Sequence, residues 1–269
     1  AFLLQTRLTS LPVSIPSHDT PHGAPKSRLR NRPHALAETI KGWIIIQGLQ
    51  PGDRLPQEAQ LIEELSASKG TMREALKVLE TQGLIRTRTG PGGGAFITEV
   101  PPAYAASLLA NHFFFKDISI SNIYELRIAL EPQLARDLAG ALSPEQLSLL
   151  RERTTPYQQP AQTIAEEHTQ RSAELEFHET LADFSPNPLL SFQCRFLIRM
   201  LRELAICRRI YDIPNDQLRQ QGLHYQEHLI NALASGDGEE ARHIMAAHMR
   251  TAQRIMIEQE ARIVRKFLL

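Results

Sequence analysis

The chain has 269 residues, enough for two domains, and 42% of them are hydrophobic, which excludes a wholly disordered protein. Its formal net charge is zero, but residues 26–100 hold 11 Lys/Arg and 8 Asp/Glu, whereas residues 101–269 hold 18 and 21. A mildly basic N-terminal part is therefore joined to a mildly acidic C-terminal part. No apolar run reaches the roughly 18 residues of a membrane span, and two cysteines, Cys194 and Cys207, suggest a reducing cytoplasm.

Composition divides the chain into four segments. Residues 1–33 become rich in Ser, Pro, His and Gly from residue 10 onward, which predicts a disordered arm. Residues 34–100 are predicted to form the first domain. The Val-Pro-Pro sequence that starts at Val100 predicts a linker at 101–103, and residues 104–269 are predicted to form a helical domain.

The first domain begins with two predicted helices. Leu36, Ile40 and Trp43 recur at helical spacing, and the Gly- and Pro-containing segment 48–53 ends this first helix. Pro56 is suited to open a second, short helix because proline has the backbone angle of a first helical turn. The order so far is helix, loop, helix.

A third helix and a hairpin follow. Ser68 is a suitable N-cap for the third helix, and Gly83 is suited to end it. Residues 84–88 and 95–99 are short strand-like runs, and the glycine-rich segment 90–94 joins them as a flexible tip. This order of elements predicts a winged helix-turn-helix.

The third helix has the features of a DNA-recognition element. Lys69, Arg73 and Lys77 recur every four residues, so they share one face and can neutralise phosphates or donate to guanine. A glycine-rich wing lets the backbone approach DNA closely. A solvated charged face is the alternative explanation of the same pattern. The candidate DNA-binding residues are Ser68, Lys69, Gly70, Thr71, Arg73, Lys77, Gly92 and Gly93.

The sequences LQPGDRLP at 49–56 and TMREALKVLETQGLI at 71–85 resemble the N-terminal domain of GntR-type bacterial transcriptional regulators. The resemblance covers about 65 residues and implies binding to double-stranded DNA. Three positions depart from the family pattern: Lys69 replaces the usual Arg, Gly70 a common Thr, and Ala59 an Arg of some FadR-branch members. An ammonium reads guanine less rigidly than a guanidinium, so these departures leave the operator sequence open.

The C-terminal part is predicted to be an all-α bundle, with helices at roughly 104–114, 121–140, 144–154, 162–184, 188–211, 215–235 and 238–266. The sequence IYELRIALEP, which starts at Ile123, resembles the opening motif of the FCD ligand-sensing domain of the FadR subfamily. The resemblance implies a homodimer that binds a palindromic operator and responds to a small organic-acid effector. Repression relieved by effector is the direction that the family suggests.

Many FCD domains hold a divalent metal such as zinc with one Asp and three His. Here Glu174 takes the place of the Asp, and His178 and His248 match, which implies a candidate metal site. The middle His is replaced by Gln226, and the flanking His224 and His228 lie about 200° away around a helix. Three alternatives stay open: weak metal binding with waters, a register shift that turns a flanking His inward, or a metal-free pocket.

Two residues are candidate effector contacts. Arg127 lies one position off the core stripe of its helix, and guanidinium is the usual partner of a carboxylate. A structural ion pair with Glu131, four residues later, is an equally good explanation. Gln226 would hydrogen-bond an organic effector directly in a metal-free pocket.

Two other functions compete with an effector-responsive regulator. A metal-dependent hydrolase would use Glu174, His178 and His248, but neither an H-E-x-x-H nor a G-x-S-x-G motif is present. A DNA-binding protein whose helical body only dimerises is the second alternative. The sequence therefore predicts a transcription regulator rather than an enzyme.

Overall fold

A computed structural model describes residues 32–113, 115–203 and 215–268, with side chains as far as residue 261, and the chain divides into two compact units between Pro101 and Pro102. In these ranges most residues are helical, and the strands form one antiparallel pair. The predicted mainly α fold class is confirmed. None of the described helices is long and apolar enough to cross a membrane.

The first unit has the predicted element order. Its described elements are α1 (Arg32–Ile46), α2 (Glu58–Glu64), α3 (Lys69–Thr81), β1 (Ile85–Arg88) and β2 (Gly94–Ile97). The strands pair from Ile85 opposite Ile97 to Arg88 opposite Gly94. Arg54 also bridges to Phe96, so the loop before α2 lies along the free edge of β2.

Local chemistry explains where these helices begin and end. The Ser68 hydroxyl accepts from the Thr71 backbone N–H at 3.2 Å, which caps α3 as predicted. Gly83 follows α3 with a φ of +75°, a left-handed conformation in which glycine is unstrained. Helix α2 begins at Glu58, two residues after Pro56, because the Gln60 side chain binds the backbone N–H of Gln57.

The ends of the first unit also differ slightly from prediction. Helix α1 begins at Arg32, so Arg32 and Pro33 are helical although they were assigned to the arm, and residues 1–31 lie outside the described ranges. Proline is compatible with the first turn of a helix, where its missing N–H has no intrahelical acceptor. At the other end, α4 begins at Pro102, within the predicted linker.

The second unit is a helical bundle in its described part. Its helices are α4 (Pro102–Phe113), α5 (Ile120–Leu138), α6 (Pro144–Thr154), α7 (Ile164–Asp183), α8 (Pro188–Glu203), α9 (Asp216–Ser235) and α10 (Gly238–Leu268), with a 3₁₀ turn at Thr155–Tyr157. These bounds follow the predicted helices closely. The predicted end of the helix at 188–211 lies in 204–214, outside the described residues.

Helix α5 is central to the packing of this bundle. It packs along α10 over much of its length and also contacts α8, α9 and α7. Cys194 on α8 is a buried free thiol, and burial, with a smaller contribution from the Glu131 charge, raises its pKa to about 12. The other cysteine, Cys207, lies outside the described ranges. The central position of α5 brings its polar residues against α7 and α10 in the interior of the bundle.

Candidate functional site

Helix α3 presents the predicted row of cations. Lys69, Arg73 and Lys77 are all exposed, whereas Met72, Ala75 and Leu79 on the opposite side are buried. Each position along the row is separated by about one helical turn, so the three charges form one continuous face. This is the arrangement that a helix needs to follow a line of phosphates or to place donors in the major groove.

Two cations of this row already have carboxylate partners on the protein. Arg73 Nε lies 3.1 Å from Glu58 Oε1, and Lys77 Nζ lies 3.0 Å from Glu74 Oε1. The Arg73 side chain is 60% exposed and the Lys77 side chain 71%, and exposed pairs contribute only about 0–1 kcal/mol. A phosphate or a base edge can therefore replace either carboxylate at little cost.

The beginning of α3 is open to an approaching anion. The Ser68 hydroxyl caps the helix and also lies 2.8 Å from the Thr71 hydroxyl. A Cβ added to Gly70 would meet no heavy atom of the described residues within 4 Å, apart from its own helix and chain neighbours, so there is open space beside this turn. The N-terminus of a helix attracts negative charge, which favours a phosphate here.

The glycines of the wing are required by its backbone as well as by any close approach to DNA. Gly92 has a φ of +77°, and Gly94 has a φ of +143°. A Cβ at Gly93 would lie 2.5 Å from the Arg88 carbonyl oxygen and 2.8 Å from that of Gly90. A side chain at residue 93 would therefore open the turn.

Sequence reasoning missed a cluster of arginines around the wing. The Arg54 guanidinium donates to the Gly93 carbonyl and lies over the ring of Phe96, while the Arg88 guanidinium lies 4.8 Å from the centroid of that ring. Arg86 is exposed and pairs with Phe96 across the hairpin. The alternation of Arg86 and Arg88 along β1 was a signal that these two side chains share one face.

The predicted effector and metal residues meet inside the second unit. Arg127, Glu174, His178 and His248 line one cavity, and Gln226 lies beside them with its side-chain nitrogen 3.4 Å from His178 Nε2. The cavity has a volume of about 10 Å³, room for one water molecule. Four elements supply these side chains: α5, α7, α9 and α10.

Arg127 is anchored by the ion pair that was the alternative prediction for it. Its Nε donates to Glu131 Oε1 at 2.5 Å, and both side chains are at most 2% exposed. Burial raises the pKa of Glu131, but its interactions with Arg127 and then with His178 outweigh this effect, so that the pKa falls to about 2. Glu131 also binds His178, with its Oε2 lying 2.6 Å from His178 Nδ1. The sequence did not indicate this second partner, because it lies 47 residues away.

Gln226 faces inward, and the two flanking histidines face outward. Gln226 is fully buried and accepts from the Tyr157 hydroxyl, whereas His224 and His228 are exposed with ring centroids 4.4 Å apart. The register shift that would turn either His inward does not occur. Tyr157 was missed because it follows α6 in a short turn, where no periodic pattern marks it as buried.

Arg171 is a further buried residue that sequence reasoning missed. Its guanidinium binds Glu167 at 3.1 Å and Glu174 at 2.5 Å, so it holds the carboxylate that the metal prediction needs. Gly222 on α9 makes room for Glu174: a Cβ there would lie 2.7 Å from Glu174 Oε1. The spacing of Glu167, Arg171 and Glu174 at four and three residues was the signal that could have found this triad.

The donors around the cavity do not fit a divalent metal ion in their present arrangement. The Nε2 atoms of His178 and His248 lie 3.2 Å apart, but Glu174 is bound by Arg171, and Gln226 presents its amide nitrogen. Among the described residues, no group of three or more His, Cys, Asp and Glu side chains is arranged to hold a metal. A structural zinc site takes four donor atoms, and even a catalytic site takes three from the protein.

Comparison with known families agrees with both units. Residues 34–97 match the model of "Bacterial regulatory proteins, gntR family", and residues 122–251 match that of the FCD domain. The chain belongs to the GntR family. It is a DNA-binding transcription regulator with an FCD domain rather than an enzyme, and the resemblance seen in the sequence is confirmed.

Two relatives illustrate how far the likeness extends along this GntR-family chain. The HTH-type transcriptional regulator LutR of Bacillus subtilis is 25% identical over 209 residues, which are 77% of this chain and 93% of LutR. The HTH-type transcriptional repressor NanR of Salmonella schwarzengrund is 25% identical over 250 residues, 87% of this chain and 89% of NanR. The solved structure of a Streptococcus agalactiae GntR protein has a TM-score of 0.57 at 22% identity, covering 82% of this chain and 99% of its own.

Proposed function

We propose that this protein is a cytoplasmic, homodimeric repressor of the FadR subfamily that binds a palindromic operator with α3 and the wing. A small organic acid bound in the helical unit modulates operator affinity. The observation that carries the DNA-binding part is the exposed row of Lys69, Arg73 and Lys77 on α3. The arginine cluster around Phe96 adds a second cationic surface to the same unit.

The dimer follows from the way such a unit reads DNA. One α3 helix reaches only a few base pairs, so high specificity needs two copies on half-sites about one helical turn apart. A two-fold dimer reads a palindrome because the same residues meet the same bases in each half-site. The name of the relative NanR, a repressor, favours repression as the direction of control.

The effector is proposed to bind around Arg127 and Gln226. Two buried guanidinium groups, those of Arg127 and Arg171, border the cavity and are suited to a carboxylate. A cavity with room for one water cannot hold an organic acid, so binding must move side chains. Displacing Glu174 would make the Arg171 Nη1 atom available to the acid, while Arg171 keeps its bond to Glu167.

Selection from a random pool of DNA duplexes tests the proposed function. Full-length protein is expected to enrich a two-fold symmetric sequence, which it then binds as a dimer in sedimentation measurements. Enrichment of an asymmetric site, or none, would refute the proposed mode of binding. Separately, melting temperatures with a panel of acids such as succinate, malate and benzoate test the effector, because a ligand of the native state raises the melting temperature. A flat panel would favour a helical body that only dimerises.

A further inference from the structure

The buried polar residues around His178 form one hydrogen-bonded chain. At one end the Tyr157 hydroxyl donates to Gln226 Oε1. That bond fixes which way the amide points, since its oxygen is used by Tyr157 and its nitrogen lies toward His178 Nε2 at 3.4 Å. Tyr157 is buried, and burial raises its pKa, so its hydroxyl stays protonated and remains a donor.

At the other end of this row of hydrogen bonds, Glu131 determines which nitrogen of His178 carries the hydrogen. The Glu131 carboxylate, ionised beside Arg127, accepts from His178 Nδ1 at 2.6 Å, which places a hydrogen on Nδ1. The Gln226 amide nitrogen faces Nε2 at 3.4 Å and can only donate, so Nε2 is the acceptor. His248 Nε2, 3.2 Å away, must therefore donate, which places its hydrogen on Nε2. These tautomers are assigned from the partners of each nitrogen.

With these hydrogen bonds assigned, the atoms of Gln226 and His248 that face His178 Nε2 carry hydrogens and not lone pairs that could bind a metal ion. His178 Nε2 accepts from the His248 N–H and faces the Gln226 amide nitrogen, and both neighbours present hydrogens to the point where a cation would sit. A cation needs lone pairs there. Gln226 could supply one only by turning its oxygen inward, and this would break the bond from Tyr157.

We propose that this pocket is metal-free. Gln226 stands where the family resemblance implies a third histidine, and it hydrogen-bonds to Tyr157 and His178 instead of binding a metal ion. An organic acid then meets guanidinium and amide donors directly, without a bridging ion. Only this statement about the acid rests on the proposed effector function. The metal content of the protein is independent of it, and of operator binding.

Metal analysis of untagged, full-length protein, purified without chelator and dialysed against excess zinc and then buffer, tests the proposal. The comparison is between the His224→Gln protein, which keeps Gln226, and the same protein with Gln226→His added. That background matters because His224 and His228 form an exposed pair one turn apart on α9, which can itself bind zinc. Gln221→His in the same background, at an exposed position of the same helix, is the control for adding a histidine.

In the His224→Gln background, the expected result is almost no zinc with Gln226 retained or with Gln221→His added, and about one zinc per chain with Gln226→His added. Zinc should raise the melting temperature of Gln226→His alone. Near-stoichiometric zinc in the His224→Gln protein with Gln226 retained would overturn the proposal. A folded Gln226→His protein without zinc would overturn the role of Gln226. If that variant does not fold, Gln226→Glu, which also adds a lone-pair donor, is measured in its place. Zinc bound by it would support the role of Gln226, and a folded protein without zinc would overturn that role.

Discussion

The two units use charged residues in opposite ways. On α3 and the wing, Lys69, Arg73 and Arg88 lie at the surface, and the pair of Arg73 with Glu58 is partly exposed. In the helical unit, Arg127 and Glu131 are almost fully buried and hold each other. Exposed charges can exchange a weak partner for DNA, whereas buried charges must keep a partner to remain in the interior.

The largest expected effect comes from breaking the buried pair. Arg127→Met leaves the Glu131 charge without its main partner, which should lower the free energy of unfolding by about 3–5 kcal/mol. Arg254→Met is the matched control, because Arg254 and Glu258 form an ion pair of the same spacing that is about half exposed. Its loss should cost at most about 1 kcal/mol.

Two probes separate the units in that experiment. Trp43 is the one tryptophan of the chain and lies in the first unit, so its fluorescence follows that unit during urea unfolding. Far-UV circular dichroism follows mainly the second unit, which contributes most of the described helical residues. Arg127→Met should shift the dichroism transition and leave that of Trp43 in place. If Arg127→Met and Arg254→Met lowered the free energy of unfolding equally, the difference assigned to the buried and the exposed ion pair would be contradicted.

A smaller effect is expected at the DNA-binding surface. Arg73→Ala should weaken operator binding by about 1–3 kcal/mol, roughly 5- to 150-fold, if its guanidinium reads a base. Stability should hardly change, since the lost pair with Glu58 is exposed. Fluorescence anisotropy with the selected operator measures the affinity, with Arg254→Met as the charge-matched control. Affinity equal to that of the control would remove Arg73 from the contacts.

The smallest effect is expected at the wing. Arg54→Met removes the bond to Gly93 but keeps a long side chain over Phe96, so the wing tip should loosen. Operator affinity should fall by about 0.5–1.5 kcal/mol. Hydroxyl-radical footprints should lose protection where the wing lies, while base protection by α3 is retained. Uniform loss of both would indicate that Arg54 supports the whole unit rather than the wing.

The elements predicted from sequence depended on local patterns, and the missed contacts did not. The stripe of α3, its Ser68 cap and its Gly83 end are encoded within a few residues, and so are the helices of the bundle. The bond from Arg54 to Gly93 spans 39 positions and that from Tyr157 to Gln226 spans 69. A single sequence carries no periodic signal for such pairs.

In the pocket, too, the sequence predicted local geometry but not the contacts between distant residues. Helical geometry alone placed His224 and His228 away from the side of Gln226, and the structure confirms that Gln226 faces inward. Spacing could not show that Arg171 holds Glu174, or which end of the Gln226 amide points at His178. The chemistry of a buried site depends on such orientations, because one rotated amide exchanges a donor for an acceptor.

Reciprocal linkage between the two units tests the account most directly. Operator affinity of the full-length protein is measured with and without an acid that raises its melting temperature, and the affinity for that acid is measured with and without operator. The account predicts that the acid weakens operator binding and that the operator weakens acid binding by the same factor. An acid that binds in the pocket and leaves operator affinity unchanged would contradict it.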